Sequence, residues 1–263
     1  MTARRLRATL AGALAAALVL AGCGGGTDDP AAGRNGGGPV TVFAAASLTE
    51  SFTRLGEDFE AAHPGTTVTF NFAGSSALAT QITQGAPADV FAAASPATMQ
   101  TVTDAGDAAG TPSVLVRNQL VVAVPKGNPG RIAGLADLVR PGVKVALCAE
   151  QVPCGAAART ALDAAGVRLT PVTLEQDVKG ALAKLRLGEV DAALVYRTDV
   201  RAAAADLAAV EFPESARAVN DYPIVVLRGG GNPDGARAFV DFVRSDAGLA
   251  VLTAAGFQAP SGS

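Results

Sequence analysis

The spacing of apolar positions changes several times along the chain, from that of a strand to that of a helix. Each such change predicts a strand followed by a helix. Residues 40–43 form a largely apolar run of strand type, and the apolar positions after it step by four, three and four: Leu48, Phe52, Leu55 and Phe59. This second spacing is typical of an amphipathic helix. Ser47 and Glu50 have the spacing of a capping box, so we expect Ser47 to cap this helix. The free N–H groups and partial positive charge of a helix N-terminus can hold an anion without a cationic side chain.

The same junction recurs later in the chain. A strand at 67–72 precedes Ser75 and Ser76, which we expect to cap a helix; capping alone, with no ligand, would also account for serines there. Further strands are predicted later in the chain, at 90–91, 118–125, 145–148, 171–173, 190–196 and 221–227. This alternation of strands and helices predicts an α/β fold built from parallel βαβ units.

Three residues of the second half also lie where a predicted strand ends or a predicted helix begins. Cys154 follows Pro153, which suits the first turn of a helix, and Val178 follows Asp177, a suitable N-cap. Tyr196 ends a predicted strand. Because ligands of open α/β sheets lie beyond the carboxyl ends of the strands, these residues are expected to meet Ser47 and Ser75 at an anion site.

The N-terminus has the pattern of an export signal. Residues 1–7 carry three arginines, residues 8–22 are small and apolar, and the tetrad ending at Cys23 resembles the bacterial lipobox. This resemblance implies a lipoprotein signal peptide at 1–22, a lipid on Cys23 and a flexible tether at 23–39; an ordinary signal peptide with an incidental cysteine is the alternative. We therefore expect an exported protein that a lipid anchors to the outer face of the cell membrane.

Composition and motifs exclude several functions. The formal net charge of −3 and the lack of a basic patch argue against nucleic acid as a partner. We find no nucleophile elbow, zinc-protease motif, Walker loop or Cys-x-x-Cys, and the single histidine, His63, stands at a predicted helix end before proline. An enzyme is therefore not expected, and neither a metal cation site nor a cofactor is predicted.

Seven segments resemble one family, the molybdate-binding components of bacterial ABC importers. They are VFAAASLTESF, FNFAGSSALATQI, GAPADVFAAAS, LVVAVPKGNP, VPCGAAARTAL, DVKGALAKLRLGEVDAALVYRTD and FVDFVRSDAGLAVLTAAGF, and the resemblance covers residues 40–258. It implies a two-lobed type II periplasmic binding protein fold with two crossing hinge strands. Lobe 1 would comprise 40–120 and 226–263, and lobe 2 would comprise 121–225. A monomer that delivers its ligand to an ABC permease is implied.

The resemblance also implies a set of ligand contacts. Molybdate, and with it tungstate, would be held by the following residues: Ser47, Ser75, Cys154, Val178 and Tyr196. The family usually has a small residue at position 154, so the cysteine is a departure. With Cys148 six residues earlier, we expect a disulfide in an exported protein; a thiolate bound directly to molybdenum is the less favoured alternative. Binding of sulfate, phosphate or a small carboxylate, or a role as a lipoprotein sensor, also remains open.

Overall fold

The computed structural model describes residues 37–260. The signal peptide expected at 1–22 and the lipidated Cys23 lie outside these residues, as does most of the tether expected at 23–39. Within the described range, none of the helices has the length and hydrophobicity needed to cross a membrane.

Ten strands and eight α-helices are present in residues 37–260. The strands are β1 (Gly38–Ala45), β2 (Thr66–Ala73), β3 (Val90–Ala92), β4 (Ser113–Asn118), β5 (Leu120–Pro125), β6 (Val145–Cys148), β7 (Thr173–Glu175), β8 (Ala192–Tyr196), β9 (Leu207–Val210) and β10 (Asn220–Val226). The helices are α1 (Thr49–Ala62), α2 (Ser75–Thr83), α3 (Pro96–Asp104), α4 (Pro153–Ala165), α5 (Val178–Arg186), α6 (Arg197–Ala202), α7 (Pro233–Arg244) and α8 (Asp246–Ala255). Short 3-10 helices occupy Ala46–Leu48, Leu135–Val139 and Pro213–Arg217.

The first sheet has the strand order β2-β1-β3-β10-β4. β1 runs parallel to β2 and β3, whereas β10 runs antiparallel to β3 and β4. The predicted apolar face of α1 is buried, and the rings of Phe52 and Phe59 meet Phe239 of α7 edge-on, with centroids 6.2 and 5.3 Å apart. Such aromatic pairs stabilise beyond their buried area and fix α1 and α7 against one another.

The second sheet has the order β7-β6-β8-β5-β9. β6 runs parallel to β7 and β8, and β5 runs antiparallel to β8 and β9. Both sheets are therefore mixed, and the expectation of parallel units throughout is wrong for β5 and β10. Each of these strands follows a crossing between the sheets, which lets it enter its sheet in the opposite direction to its neighbours.

The two sheets are linked by two crossings that lie side by side. β4 of the first sheet and β5 of the second are separated only by Gln119, so the apolar run predicted as one strand at 118–125 is in fact divided there. The chain returns before β10, in which Asn220 pairs with Asn118. The expected lobe boundary between residues 225 and 226 therefore falls inside β10, all of which belongs to the first sheet.

Candidate functional site

One small cavity brings together all five residues that the sequence singles out. Ser47, Ser75, Cys154, Val178 and Tyr196 line it, and each is at most 4% exposed. The rest of the lining consists of Ala45, Ala46, Gly74, Ala94, Val152, Pro153 and Asp177. The space open to the centre of a water-sized sphere is about 20 Å³, slightly more than one water molecule needs. The cavity therefore suits a single small ligand.

The capping box expected at Ser47 and Glu50 is wrong. α1 begins at Thr49 with Leu48 as its N-cap, and no side chain caps it, because Ser47 lies in the preceding 3-10 helix. The Ser47 hydroxyl instead lies 2.8 Å from the Tyr222 hydroxyl on β10. Because of this contact, the Ser47 hydroxyl lies beside Tyr222 at the cavity and does not cap the amides of α1.

The serine pair at the start of α2 does not cap that helix either. Gly74 is the N-cap, and Ser75 is the first helical residue. The Ser75 hydroxyl accepts a hydrogen bond from the N–H of Ala94, at 3.0 Å, and Ser76 donates to the carbonyl of Gln151. Since Ser75 already accepts from the protein, its own proton is available to a ligand in the cavity.

The second sheet contributes the N-termini of two helices. Pro153 is the first residue of α4 and Val178 the first of α5, and Asp177 caps α5 by accepting from the N–H of Gly180 at 2.9 Å, as predicted. First-turn amides have no partner within their helix. Among the hydrogen bonds of residues 37–260, none is donated by the N–H of Ser75, Cys154 or Val178. Together with the N–H of Ser75 from the first lobe, these amides place three free backbone donors at the cavity.

Tyr196 supplies a side-chain donor. Its hydroxyl is buried and has no hydrogen-bond partner among the described residues. Burial raises the pKa of Tyr196 well above its ordinary value of 10, and the neighbouring Tyr222 and Asp199 raise it further. The phenol therefore stays protonated near neutral pH. A buried hydroxyl without a partner is costly, so a ligand that accepts its proton gains from this site.

The cavity presents neutral donors and no cation. Within the described residues its lining contains no Lys, Arg or His, and the carboxylate of Asp177 is held by the amide of Gly180. No group of three or more His, Cys, Asp or Glu in residues 37–260 is placed to hold a metal ion. A small anion with several acceptor oxygens matches this set of donors.

An ion cluster that the sequence did not reveal lies beside the cavity. Lys179, next to Val178, is 2.8 Å from the carboxylate of Glu50 on α1 and 3.0 Å from that of Asp199 on α6. The other carboxylate oxygen of Asp199 accepts from the N–H of Tyr196 at 3.2 Å. Burial raises the pKa of Asp199 from its ordinary 3.8 to about 6, although Lys179 acts to lower it. The cluster links the segments that carry Ser47, Val178 and Tyr196.

Cys148 and Cys154 form a disulfide that closes the loop before α4. The loop is tight, since a Cβ added to Gly155 would lie 1.8 Å from the carbonyl oxygen of Ala149. With its sulfur in the disulfide, Cys154 offers the cavity a backbone N–H and no thiolate.

Removing this disulfide is expected to lower the free energy of unfolding by about 2 kcal/mol, the chain-entropy value for so short a loop. Chemical denaturation of the Cys148→Ala/Cys154→Ala variant beside the parent measures this loss. Mass spectrometry after alkylation of the native exported protein should find no free thiol at either position. Two alkylated cysteines there would contradict the assignment.

Comparison with known proteins places the chain in a family. Residues 40–258 match the family model of bacterial extracellular solute-binding proteins. The molybdate-binding protein ModA of Mycobacterium tuberculosis is 46% identical over 247 residues, covering 94% of this chain and 95% of that protein.

Solved structures show the same fold. The periplasmic molybdate-binding protein of Azotobacter vinelandii aligns with a TM-score of 0.74 and 20% identity, covering 84% of this chain and all of that chain. The sulfate-binding protein SubI of M. tuberculosis aligns with a TM-score of 0.72 and 18% identity, covering 85% and 88%. The predicted two-lobed fold and the prediction of a binding protein rather than an enzyme are confirmed. The chain belongs to the family of bacterial extracellular solute-binding proteins.

Proposed function

We propose that this protein is the substrate-binding component of an ABC importer and captures molybdate, and with it tungstate, between its two lobes. One observation carries the proposal: neutral donors from five separate segments converge on a cavity that suits one small ion. The 46% identity to a molybdate-binding protein over nearly the whole of both chains supports the same ligand. The ligand would pass to a membrane permease, and a lipid on Cys23 would hold a monomer at the outer face of the membrane.

The donors account for selection against protonated oxyanions. Hydrogen bonds to a charged group contribute about 1.5–3 kcal/mol each, so five neutral donors can replace the hydration of a dianion. A protonated anion such as hydrogen phosphate would point its own O–H at a donor of the site and find no acceptor there, which lowers its affinity. Sulfate carries the same charge as molybdate on shorter bonds, so the size of the cavity must separate these two.

Titration calorimetry of the chain from Gly24 onward with molybdate, tungstate, sulfate and phosphate tests the proposal. Tight one-to-one binding of the first two alone is the expected result. Equal binding of sulfate would leave an oxyanion-binding protein with a different substrate. Binding of none of the four would refute the proposal.

Ser47→Ala and Ser75→Ala should each weaken molybdate binding roughly 10- to 150-fold, the equivalent of one hydrogen bond to a charged group. Ser95→Ala is the matched control. Its hydroxyl caps α3 by accepting from the N–H of Thr98, and it does not line the cavity. The control should lose stability of about 1 kcal/mol and no affinity. Unchanged affinity in both cavity variants would show that the two hydroxyls do not contribute to ligand binding.

A further inference from the structure

Both tyrosines of the chain meet behind the cavity, although only one of them lines it. The rings of Tyr196 and Tyr222 pack edge-on with centroids 5.9 Å apart, and Phe257 packs against Tyr222 at 5.5 Å. Tyr222 is 1% exposed. Its hydroxyl lies 2.8 Å from that of Ser47, which does line the cavity. Tyr222 therefore contacts two residues of the lining, Ser47 through its hydroxyl and Tyr196 through its ring.

The direction of this hydrogen bond decides what Ser47 offers to a ligand. If Ser47 donated to Tyr222, the serine would turn its lone pairs to the cavity and repel an anion. If Tyr222 donates, the serine proton is free to point at the ligand. Burial raises the pKa of Tyr222 far above its ordinary value, so the phenol keeps the proton it needs for this role.

The first lobe already shows the same arrangement at its other serine. The Ser75 hydroxyl accepts from the N–H of Ala94 at 3.0 Å. An amide can only donate, so the direction of that bond is fixed, and Ser75 can only donate onward into the cavity or to a neighbouring acceptor. Tyr222 stands in the corresponding relation to Ser47, with a hydroxyl in place of the amide.

We infer that Tyr222 is a positioning residue of the oxyanion site: its hydroxyl donates to the oxygen of Ser47 and thereby holds Ser47 as a hydrogen-bond donor to the ligand. This inference rests on the proposed function. Tyr222 does not line the cavity, and its ring has a separate packing role against Tyr196 and Phe257.

Tyr222→Phe tests the inference, because it removes the hydroxyl and retains the ring. Calorimetry with molybdate on the complete mature chain should show affinity about tenfold weaker. The same substitution in a Ser47→Ala background should change affinity by less than about twofold, since the serine hydroxyl that Tyr222 orients is then absent. A role in packing alone would give equal losses in both backgrounds.

Ser215→Ala is the control for loss of a buried hydroxyl near the crossings. Ser215 is fully buried, bonds Gln119 and the carbonyl of Phe212, and does not line the cavity. It should lose stability without losing affinity. Equal losses for Tyr222→Phe in the two backgrounds, or no loss in the parent, would overturn the inference and leave the proposed function intact. A parent protein that bound no molybdate would overturn both.

Discussion

Gly74→Ala is expected to weaken ligand binding by roughly two orders of magnitude while leaving the fold intact. A Cβ at position 74 would lie 2.4 Å from the carbonyl oxygen of Gln176. Gly74 precedes α2 of the first lobe and Gln176 precedes α5 of the second, so the clash arises only where the lobes meet. The obstructing atom is backbone and cannot rotate away. Overpacking costs up to about 3 kcal/mol, or roughly 150-fold in affinity.

The matched control is Gly110→Ala, because no atom lies within 4 Å of a Cβ at that position and its backbone suits alanine. Calorimetry with molybdate gives the affinity of each variant, and thermal unfolding without ligand gives its stability. We expect Gly74→Ala to lose affinity with a nearly unchanged melting temperature. Parent-like affinity would mean that the lobes need not approach this closely to hold the ligand.

Lys179→Met is expected to lower the free energy of unfolding by about 3–5 kcal/mol at pH 8, the cost of stranding a buried charge. The Asp199 side chain is fully buried, with Lys179 3.0 Å away, whereas the Glu50 side chain is 53% exposed. Most of the loss should therefore come from Asp199. Glu50→Gln, the matched control, should cost no more than about 1 kcal/mol.

The loss should depend on pH. Even beside Lys179, burial holds the pKa of Asp199 at about 6, against an ordinary 3.8, and without the lysine this pKa should rise further. A carboxyl that binds its proton more strongly when folded contributes stability below its unfolded pKa, and this contribution is lost as pH rises through the folded pKa. The destabilisation by Lys179→Met should therefore be smaller at pH 5 than at pH 8.

Denaturant unfolding at the two pH values measures this difference. Adding Asp199→Asn to Lys179→Met should recover much of the stability at pH 8, because no buried charge remains. A loss that is the same at both pH values, or one no larger than that of Glu50→Gln, would contradict this role for Asp199.

The positions around the cavity could be predicted because they follow from local chain chemistry. Pro153 and Asp177 mark helix starts by their own backbone and side-chain preferences, and the structure places both where expected. Ser47 and Ser75 line the cavity for a different reason. Their hydroxyls bond Tyr222 and Ala94, which are far away in sequence, in place of the helix amides that their spacing indicated.

Contacts between distant segments could not be read from the sequence. Glu50 and Lys179 are separated by 129 residues, and nothing in the local pattern of either residue indicates the other. The assignment of β10 to the first sheet has the same cause, because an apolar strand does not specify its neighbours. Gly74 also gave no signal, since its small size matters only against Gln176 of the other lobe.

A cavity lined without cations has a consequence for how fast the ligand arrives. With a formal net charge of −3 and Lys179 held between two carboxylates, the protein offers little long-range attraction to a dianion. Electrostatic steering, which speeds the capture of charged ligands by oppositely charged clefts, is therefore weak here. Dissolved salt would screen repulsion rather than attraction, so the association rate should hold or rise in saline media. Retention then depends on slow release after encounter.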